Sequence, residues 1–375
     1  MPTREAFHDT AADPGGPHRF LGIETSCDET SVAVLGRDGE VLANLIASQI
    51  ERHRPFGGVV PEIASREHLR HLMPLVDEAT RQAGVGLSDI DAVAVTSGPG
   101  LIGALLVGVA AGQGLAWGLG VPLYPVNHLE GHIVSAYLNS AGAATPLPSR
   151  FLSLVVSGGH SSIYDVRSGA DDPIRVVNRT RDDAAGEIFD KVAKFLGFPY
   201  PGGPYVEETA TNGEASACPL PLARFKDGSL DFSFSGLKAS AIRQARKLGL
   251  EASAGTDDKQ SDLANLCAGF QSAIVDQLVD RLSAVWDQVG GEKDPPTEVT
   301  ISGGVAANGA LRNAVSRWGE VRGIVVRLPA KVFCTDNAAM IAFAAMTFGS
   351  PAEETSRIAA SSRIQAGRAP GRPVR

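Results

Sequence analysis

The feature that most restricts what this chain can become is a pattern that occurs twice. From Phe20 the sequence reads Phe-Leu-Gly-Ile-Glu-Thr-Ser-Cys-Asp-Glu-Thr-Ser-Val-Ala-Val-Leu, and from Phe151 it reads Phe-Leu-Ser-Leu-Val-Val-Ser-Gly-Gly-His-Ser-Ser-Ile-Tyr-Asp-Val. Each is an apolar strand, a turn of small and polar residues, and a second strand. The parallel continues downstream. The strand at Ala92 to Thr96 runs into Ser97-Gly98-Pro99-Gly100 and a helix from about Leu101, and the strand at Glu298 to Ile301 runs into Ser302-Gly303-Gly304 and a helix from about Asn308. A further strand then leads to His128 in the first half (Val121 to Val126) and to Cys334-Thr335-Asp336-Asn337 in the second (Ile324 to Leu328). Apolar helical segments follow at Ile133 to Leu138 and Ala338 to Phe348. Self-similarity of this kind predicts two related α/β halves whose corresponding loops face each other.

The expected fold is therefore α/β, a duplicated actin-like ATPase (ASKHA) architecture with two lobes around a nucleotide cleft. Ligands of such sheets sit beyond the carboxyl ends of the strands. With 375 residues the chain accommodates an extension at 1–18, an N-terminal lobe at 19–140 and a C-terminal lobe with insertions at 150–335. A crossing helix at 336–350 and an Arg-rich tail at 351–375 complete the division. Ser261 to Val289 has helical spacing of apolar residues and reads as a core helix. Leu101 to Leu119 is apolar but rich in glycine, which suits a buried helix better than a membrane span. Met1 to His18 lacks a signal-peptide apolar core. The expectation is a cytoplasmic protein without a membrane partner.

Two histidines, His128 and His132, stand at i and i+4. On a helix they are about 40° apart, so both rings can face one point. Such a pair is as often a satisfied surface pair as a ligand pair. Asp336, at the matching place in the second half, supplies the third donor across the cleft. Two imidazoles and a carboxylate with open positions suit Fe(II) or Zn(II). A zincin protease needs Glu directly after the first His; here Glu130 is about 200° around the helix from His128.

The turns Ser157-Gly158-Gly159 and Ser302-Gly303-Gly304 are expected to approach phosphate or ribose through backbone N–H groups. No Walker loop is present. The turn from Thr25 to Thr30 either holds phosphate through water and metal or caps a hairpin. Net charge is −8, which argues against indiscriminate coating of nucleic acid. Two basic groups stand out, Lys238, Arg243, Arg246 and Lys247, and a tail with Arg357, Arg363, Arg368, Arg372 and Arg375. Each is either a solvated face or a local basic patch for an anionic partner.

Longer motifs carry a resemblance. Gly22-Ile-Glu-Thr-Ser-Cys-Asp-Glu-Thr30, Gly58-Val-Val-Pro-Glu62, His128-Leu-Glu-Gly-His132, Val156-Ser-Gly-Gly-His160, Asp182-Asp-Ala-Ala-Gly-Glu187, Phe232-Ser-Phe-Ser-Gly-Leu-Lys238 and Cys334-Thr-Asp-Asn337 resemble the TsaD (Gcp) family over about Phe20 to Ser350. The resemblance implies transfer of a threonylcarbamoyl group from threonylcarbamoyl-AMP to N6 of adenosine 37 in tRNAs that read codons beginning with A. It implies one divalent metal per subunit on His128, His132 and Asp336, with Fe(2+) the usual ion and Zn(2+) the other that such donors suit. Substrate contacts are implied at Val155, Val156, Ser157, Gly158, Gly159, Asp190, Gly203 and Asn308. Glu207, which stands where many relatives carry aspartate, is a further implied substrate contact toward the ribose, and Val155 stands where archaeal relatives carry tyrosine. No general base is assigned; Asp28 and Glu29 are the candidates. Implied partners are tRNA, a TsaB-like paralogue and a TsaE-like ATPase. The competing readings are an actin-fold small-molecule kinase, a metalloprotease, and a nucleotide-binding scaffold.

Overall fold

A computed structural model of the chain describes residues 18–252, 259–355, 358–363 and 366. Almost all of the expected N-terminal extension (residues 1–17) lies outside the described residues, as do Arg357, Arg368, Arg372 and Arg375 of the tail.

Two five-stranded sheets form the frame. The first contains β1 (Arg19–Glu24), β2 (Glu29–Gly36), β3 (Val41–Ser48), β4 (Ala92–Gly98) and β5 (Leu123–Asn127), in the order β3-β2-β1-β4-β5. The second contains β6 (Arg150–Val156), β7 (Ser161–Arg167), β8 (Ile174–Arg179), β9 (Glu298–Ser302) and β10 (Val325–Arg327), in the order β10-β9-β6-β7-β8. Read from the other edge, the second order is the first again. The pairings also agree: an antiparallel β1–β2–β3 meander with β4 and β5 parallel to β1, and an antiparallel β6–β7–β8 meander with β9 parallel to β6 and β10 parallel to β9. The duplication inferred from the repeat is thus present strand for strand, as a duplicated actin-like fold.

The first half adds α1 (Ile50–His53), α2 (Pro61–Ala83), α3 (Ile102–Leu119) and α4 (His128–Val134). The second adds α5 (Ala185–Leu196), α6 (Gly203–Ala210), α7 (Ser235–Leu248), α8 (Gln260–Val289), α9 (Gly309–Arg322) and α10 (Ala338–Phe348). The central strands are apolar on both faces because both are covered: α2 and α3 lie on one side of the first sheet and α10 on the other. Contact with α10 is close at Gly22, where a Cβ would come within 2.3 Å of the Ala338 carbonyl oxygen. The same apolar cluster continues through α4 to Phe151, Val155 and Tyr164, so one core joins the halves. The expected core helix at Ser261 to Val289 is α8, which buries Leu263, Leu266, Phe270, Ile274, Leu278 and Leu282.

Two expectations change on packing. The apolar segment Leu101 to Leu119 is a helix, yet only one of its faces is buried; Ile102, Leu106 and Trp117 are exposed. This helix is long and apolar enough to cross a membrane by composition alone, and here it packs between β4 and α2. The helix expected at Ile133 to Leu138 starts earlier, at His128, and gives way to a 3-10 turn at Ser135–Tyr137. Both histidines are therefore inside its first two turns.

Candidate metal and nucleotide site

Every turn singled out by the repeat lies at the carboxyl end of a strand. Thr25 to Asp28 follow β1, Gly98 to Gly100 close β4, His128 follows β5, Ser157 to His160 follow β6, and Ser302 to Gly304 close β9. The first of these turns is held from several directions. Thr25 Oγ1 donates to the Ala104 carbonyl (3.0 Å), and the Leu101 N–H donates to the Ser26 carbonyl (2.8 Å). A buried imidazole chain supports it from behind. The Val60 N–H donates to His53 Nδ1, so His53 donates from Nε2 to Gln49 Oε1 (3.1 Å). The Gln49 amide donates to His68 Nδ1 (3.3 Å), leaving His68 Nε2–H to donate to the Cys27 carbonyl (3.0 Å). Burial holds both imidazoles below their ordinary pKa, in keeping with this neutral chain.

The candidate metal donors converge at the starts of α4 and α10. Asn127 caps α4 by accepting the Leu129 N–H (2.9 Å), and Asn337 caps α10 by accepting the Met340 N–H (3.0 Å). Gly131 lets the two helices approach, since a Cβ there would come within 2.9 Å of Met340 and Ile341. Asp336 Oδ1 consequently lies 3.4 Å from His128 Nε2 and 3.2 Å from His132 Nε2. One donor atom from each residue falls within 4.8 Å of the others. The imidazole planes cross at 82°.

The electrostatics fit a cation at that point. Burial alone would lower the His128 pKa, but the charges of Asp336 and Glu24 push it well above the ordinary value. Burial would raise Asp336, and the two histidines hold it far below the carboxylate range instead. His132 is lowered by burial; its buried Nδ1 has no hydrogen-bond partner, and its Nε2 faces Asp336. An orphaned imidazole aimed at a carboxylate is costly unless something positive joins them. Two histidines and one carboxylate are a donor set that a divalent transition ion accepts.

The other expected residues differ in what their surroundings leave free. Gly158 and Gly159 are exposed, and a Cβ on either would meet nothing within 4 Å, so their backbone is open to the cleft. Gly303 requires glycine for two reasons: its φ is +91°, and a Cβ would lie 2.4 Å from the Val156 carbonyl oxygen. Val155 and Val156 are wholly buried, which leaves them backbone groups only. Asp190 accepts the Gly202 N–H (2.7 Å), at the turn that begins α6 with Gly203, and burial together with Asp28 raises its pKa. Glu207 accepts the Gly309 N–H (2.7 Å), and Asn308 caps α9 through the Leu311 N–H while donating to Gln271 Oε1 (2.8 Å). These last two side chains are thus partly committed to the start of α9.

The candidates for proton transfer differ. Asp28 is raised by burial and by Asp336, and accepts from Tyr200 Oη (3.3 Å). Glu29 is pushed up to about 8, first by burial, and its Oε2 has no partner. Its other oxygen accepts from Ser48, which lines a groove of about 390 Å³ with Arg54, Pro201, Pro204 and Tyr205. Burial and nearby carboxylates also drive the Cys27 thiol well up, so it is no thiolate nucleophile.

Three features escaped the sequence reading. Glu24 and Ser26 flank His128 Nδ1, and the Thr96 hydroxyl donates to the same Glu24 carboxylate. Lys238, grouped above with the basic face of α7, instead pairs with Asp183, which Lys191 (2.8 Å) and Ser235 also engage. Leu69 and Met73 on α2, and Ile102 and Leu106 on α3, are exposed, and the two helices pack together. Only the Asp-Asp and Ser-Gly-Leu-Lys motifs signalled the second of these in advance.

Comparison with known proteins assigns the chain. The profile of TsaD, described as tRNA N6-adenosine threonylcarbamoyltransferase, matches residues 40–343. A protein of that name from Anaeromyxobacter sp. (strain Fw109-5) is 50% identical over 327 residues, covering 87% of this chain and 93% of the relative. Another from Clostridium perfringens (strain SM101 / Type A) is 45% identical over 326 residues, covering 87% and 91%. Among solved structures, full-length HypF in its phosphate- and nucleotide-bound form aligns with TM-score 0.54 at 14% identity, over 88% of this chain and 46% of that one. With two related sheets, a His-His-Asp point between them and a relative identical at half its positions, this chain belongs to the TsaD family.

Proposed function

We propose that the chain forms N6-threonylcarbamoyladenosine in tRNA, taking the threonylcarbamoyl group from its mixed anhydride with AMP and delivering it to adenosine 37 of tRNAs that read codons beginning with A. The observation that carries this reading is the convergence of His128, His132 and Asp336 at the mouth of a cleft lined by open glycine turns, in a chain 50% identical to a protein of that name.

The donor is already activated, so the protein's task is to hold it, bring the acceptor close and stabilise the leaving group. The open backbone at Gly158, Gly159 and Gly304 suits the phosphate, and Asp190 on α5, Glu207 on α6 and Asn308 at the start of α9 are the side chains expected to hold the rest of the donor. A divalent ion held by His128, His132 and Asp336 would act as a Lewis acid toward a carbonyl or phosphoryl oxygen. In the transfer, the adenine N6 forms a bond to the carbamoyl carbon, the bond from that carbon to the phosphate oxygen breaks, AMP departs, and N6 loses a proton. Asp28 and Glu29 are the candidates to take that proton, and burial raises the pKa of both, that of Glu29 to about 8. The acceptor lies in a single-stranded loop, where a base is presented without opening a duplex.

Docking of a TsaB-like paralogue is supported by the exposed face of α2 and α3, where Leu69, Met73, Ile102 and Leu106 meet solvent. Four large apolar side chains on two neighbouring helices mark an interaction surface. A TsaE-like ATPase and a separate synthase for the donor complete the expected system.

The test is reconstitution with the paralogue, the ATPase, threonylcarbamoyl-AMP and unmodified tRNA, followed by mass analysis of the nucleosides. His128→Ala and Asp336→Ala should each lower modified adenosine by at least about 100-fold, the scale of losing a group that acts in the transition state. Their thermal unfolding in chelator should show an intact fold. Wild-type rates in both variants would refute the assignment of the site.

A further inference from the structure

Glu24 is the last residue of β1 and its side chain is fully buried. A carboxylate in that position is expensive unless its oxygens are satisfied. Three groups satisfy it: the Ser26 N–H, the Thr96 hydroxyl (2.6 Å) and His128 Nδ1 (2.9 Å). No lysine or arginine pairs with it among the described residues, so the His128 ring N–H is the one side-chain nitrogen that meets it there. The carboxylate accepts, and the ring must therefore carry its proton on Nδ1. That fixes the tautomer and turns the Nε2 lone pair toward Asp336 (3.4 Å). Ser26 Oγ, 3.2 Å from the same Nδ1, closes the other approach.

The partner histidine is built differently. His132 is equally buried, yet its Nδ1 has no hydrogen-bond partner. Of the two imidazoles, only His128 is held by a carboxylate behind it. We propose that Glu24 is the positioning residue of the metal centre: it fixes the orientation and tautomer of His128, raises the donor strength of its Nε2, and ties that ligand to the Thr25–Asp28 turn through the Ser26 N–H. Carboxylates behind ligating imidazoles have this effect generally, and their loss costs about 10–100-fold in metal affinity. The inference rests on the metal reading of the site and says nothing about the acyl acceptor, so its test reads metal binding.

Zinc affinity of the full chain is measured by competition with a chromophoric chelator, for wild type, Glu24→Gln and Glu24→Ala, alongside thermal unfolding in EDTA. Glutamine keeps an acceptor for the ring N–H but places an amide against the Ser26 N–H or Thr96, and it removes the charge. The expected result is a Kd raised about tenfold in Glu24→Gln and up to about 100-fold in Glu24→Ala. Affinities within twofold of wild type in both variants would overturn the inference while leaving the metal site standing. Absence of zinc binding by the wild-type chain would overturn both. Should the variants not fold, long-range proton–nitrogen NMR of the zinc-loaded wild type decides: one zinc-bound imidazole must show a protected Nδ1–H with zinc on Nε2. Zinc on Nδ1 of His128 would contradict the proposal.

Discussion

Glu29 and Asp28 are adjacent, and their surroundings separate them. Burial is the main cause that lifts Glu29 from the ordinary 4.5 to about 8, with the Asp28 and Asp336 charges adding to it and the Ser48 hydroxyl opposing. The folded chain then binds this proton more tightly than the unfolded chain. Its stabilising contribution is complete below about pH 4.5 and is lost as pH rises toward 8. Glu29→Gln should therefore gain stability over wild type progressively across that window, measured as the difference in Tm in chelator. A difference that stays constant from pH 5 to 8.5 would contradict the burial argument. At this scale the sequence was informative only where a residue type is rare in its role. His128 and His132 stood out by spacing, and Asp336 by its place in the repeat. Glu24 did not, because a glutamate ending a strand looks like any turn residue until Thr96 and His128 close on it. Asn308 and Glu207 show the opposite case: they were expected at the substrate, and part of their hydrogen-bonding goes to the N-terminus of α9.

Among the elements, α3 departs furthest from expectation. Its composition gives no amphipathic stripe, so a sequence reading assigns it wholly to the interior. The fold buries Ala104, Leu105, Gly108, Val109, Gly112 and Ala116 against the sheet and leaves Ile102 and Leu106 outside. The side that faces inward is the one with small residues: a Cβ at Gly108 would lie 2.3 Å from Thr25 Oγ1, and at Gly112 one would lie 3.2 Å from Val95. Close approach of the helix to the Thr25–Asp28 turn thus determines which residues remain exposed. If the α2–α3 face receives the paralogue, Leu106→Glu should weaken that complex by about 2 kcal/mol, roughly 30-fold, as for a central apolar contact. Unfolding of the isolated chain should hardly change, since the site is solvated. Titration calorimetry with the paralogue checks this, and an unaltered Kd would move the interface elsewhere. By contrast α8 was fully legible, because a long run with one consistent apolar spacing has few alternatives to a core helix.

On the scale of the whole molecule, duplication explains why a distant aspartate could be matched to a histidine pair. Each half contributes one strand–loop–helix unit, β5 to α4 and β10 to α10, and α10 returns to pack on the first sheet. The candidate metal donors are therefore shared between the halves, and their separation is set by the common core that includes Phe151, Val155, Met340 and Ile341. The repeat made this topology legible; the inter-lobe packing that sets the distances was not, because it depends on close contacts such as Gly131 against Met340. The central claim is that this shared point holds one ion that serves transfer to tRNA. Its most direct test is to strip the chain with chelator, restore Fe(2+) or Zn(2+) in steps, and follow modified adenosine formed with the partners present. The account predicts that the rate rises in proportion to bound ion, levels at about one ion per chain, and is not restored in His132→Ala. A full rate in the metal-stripped chain would contradict it.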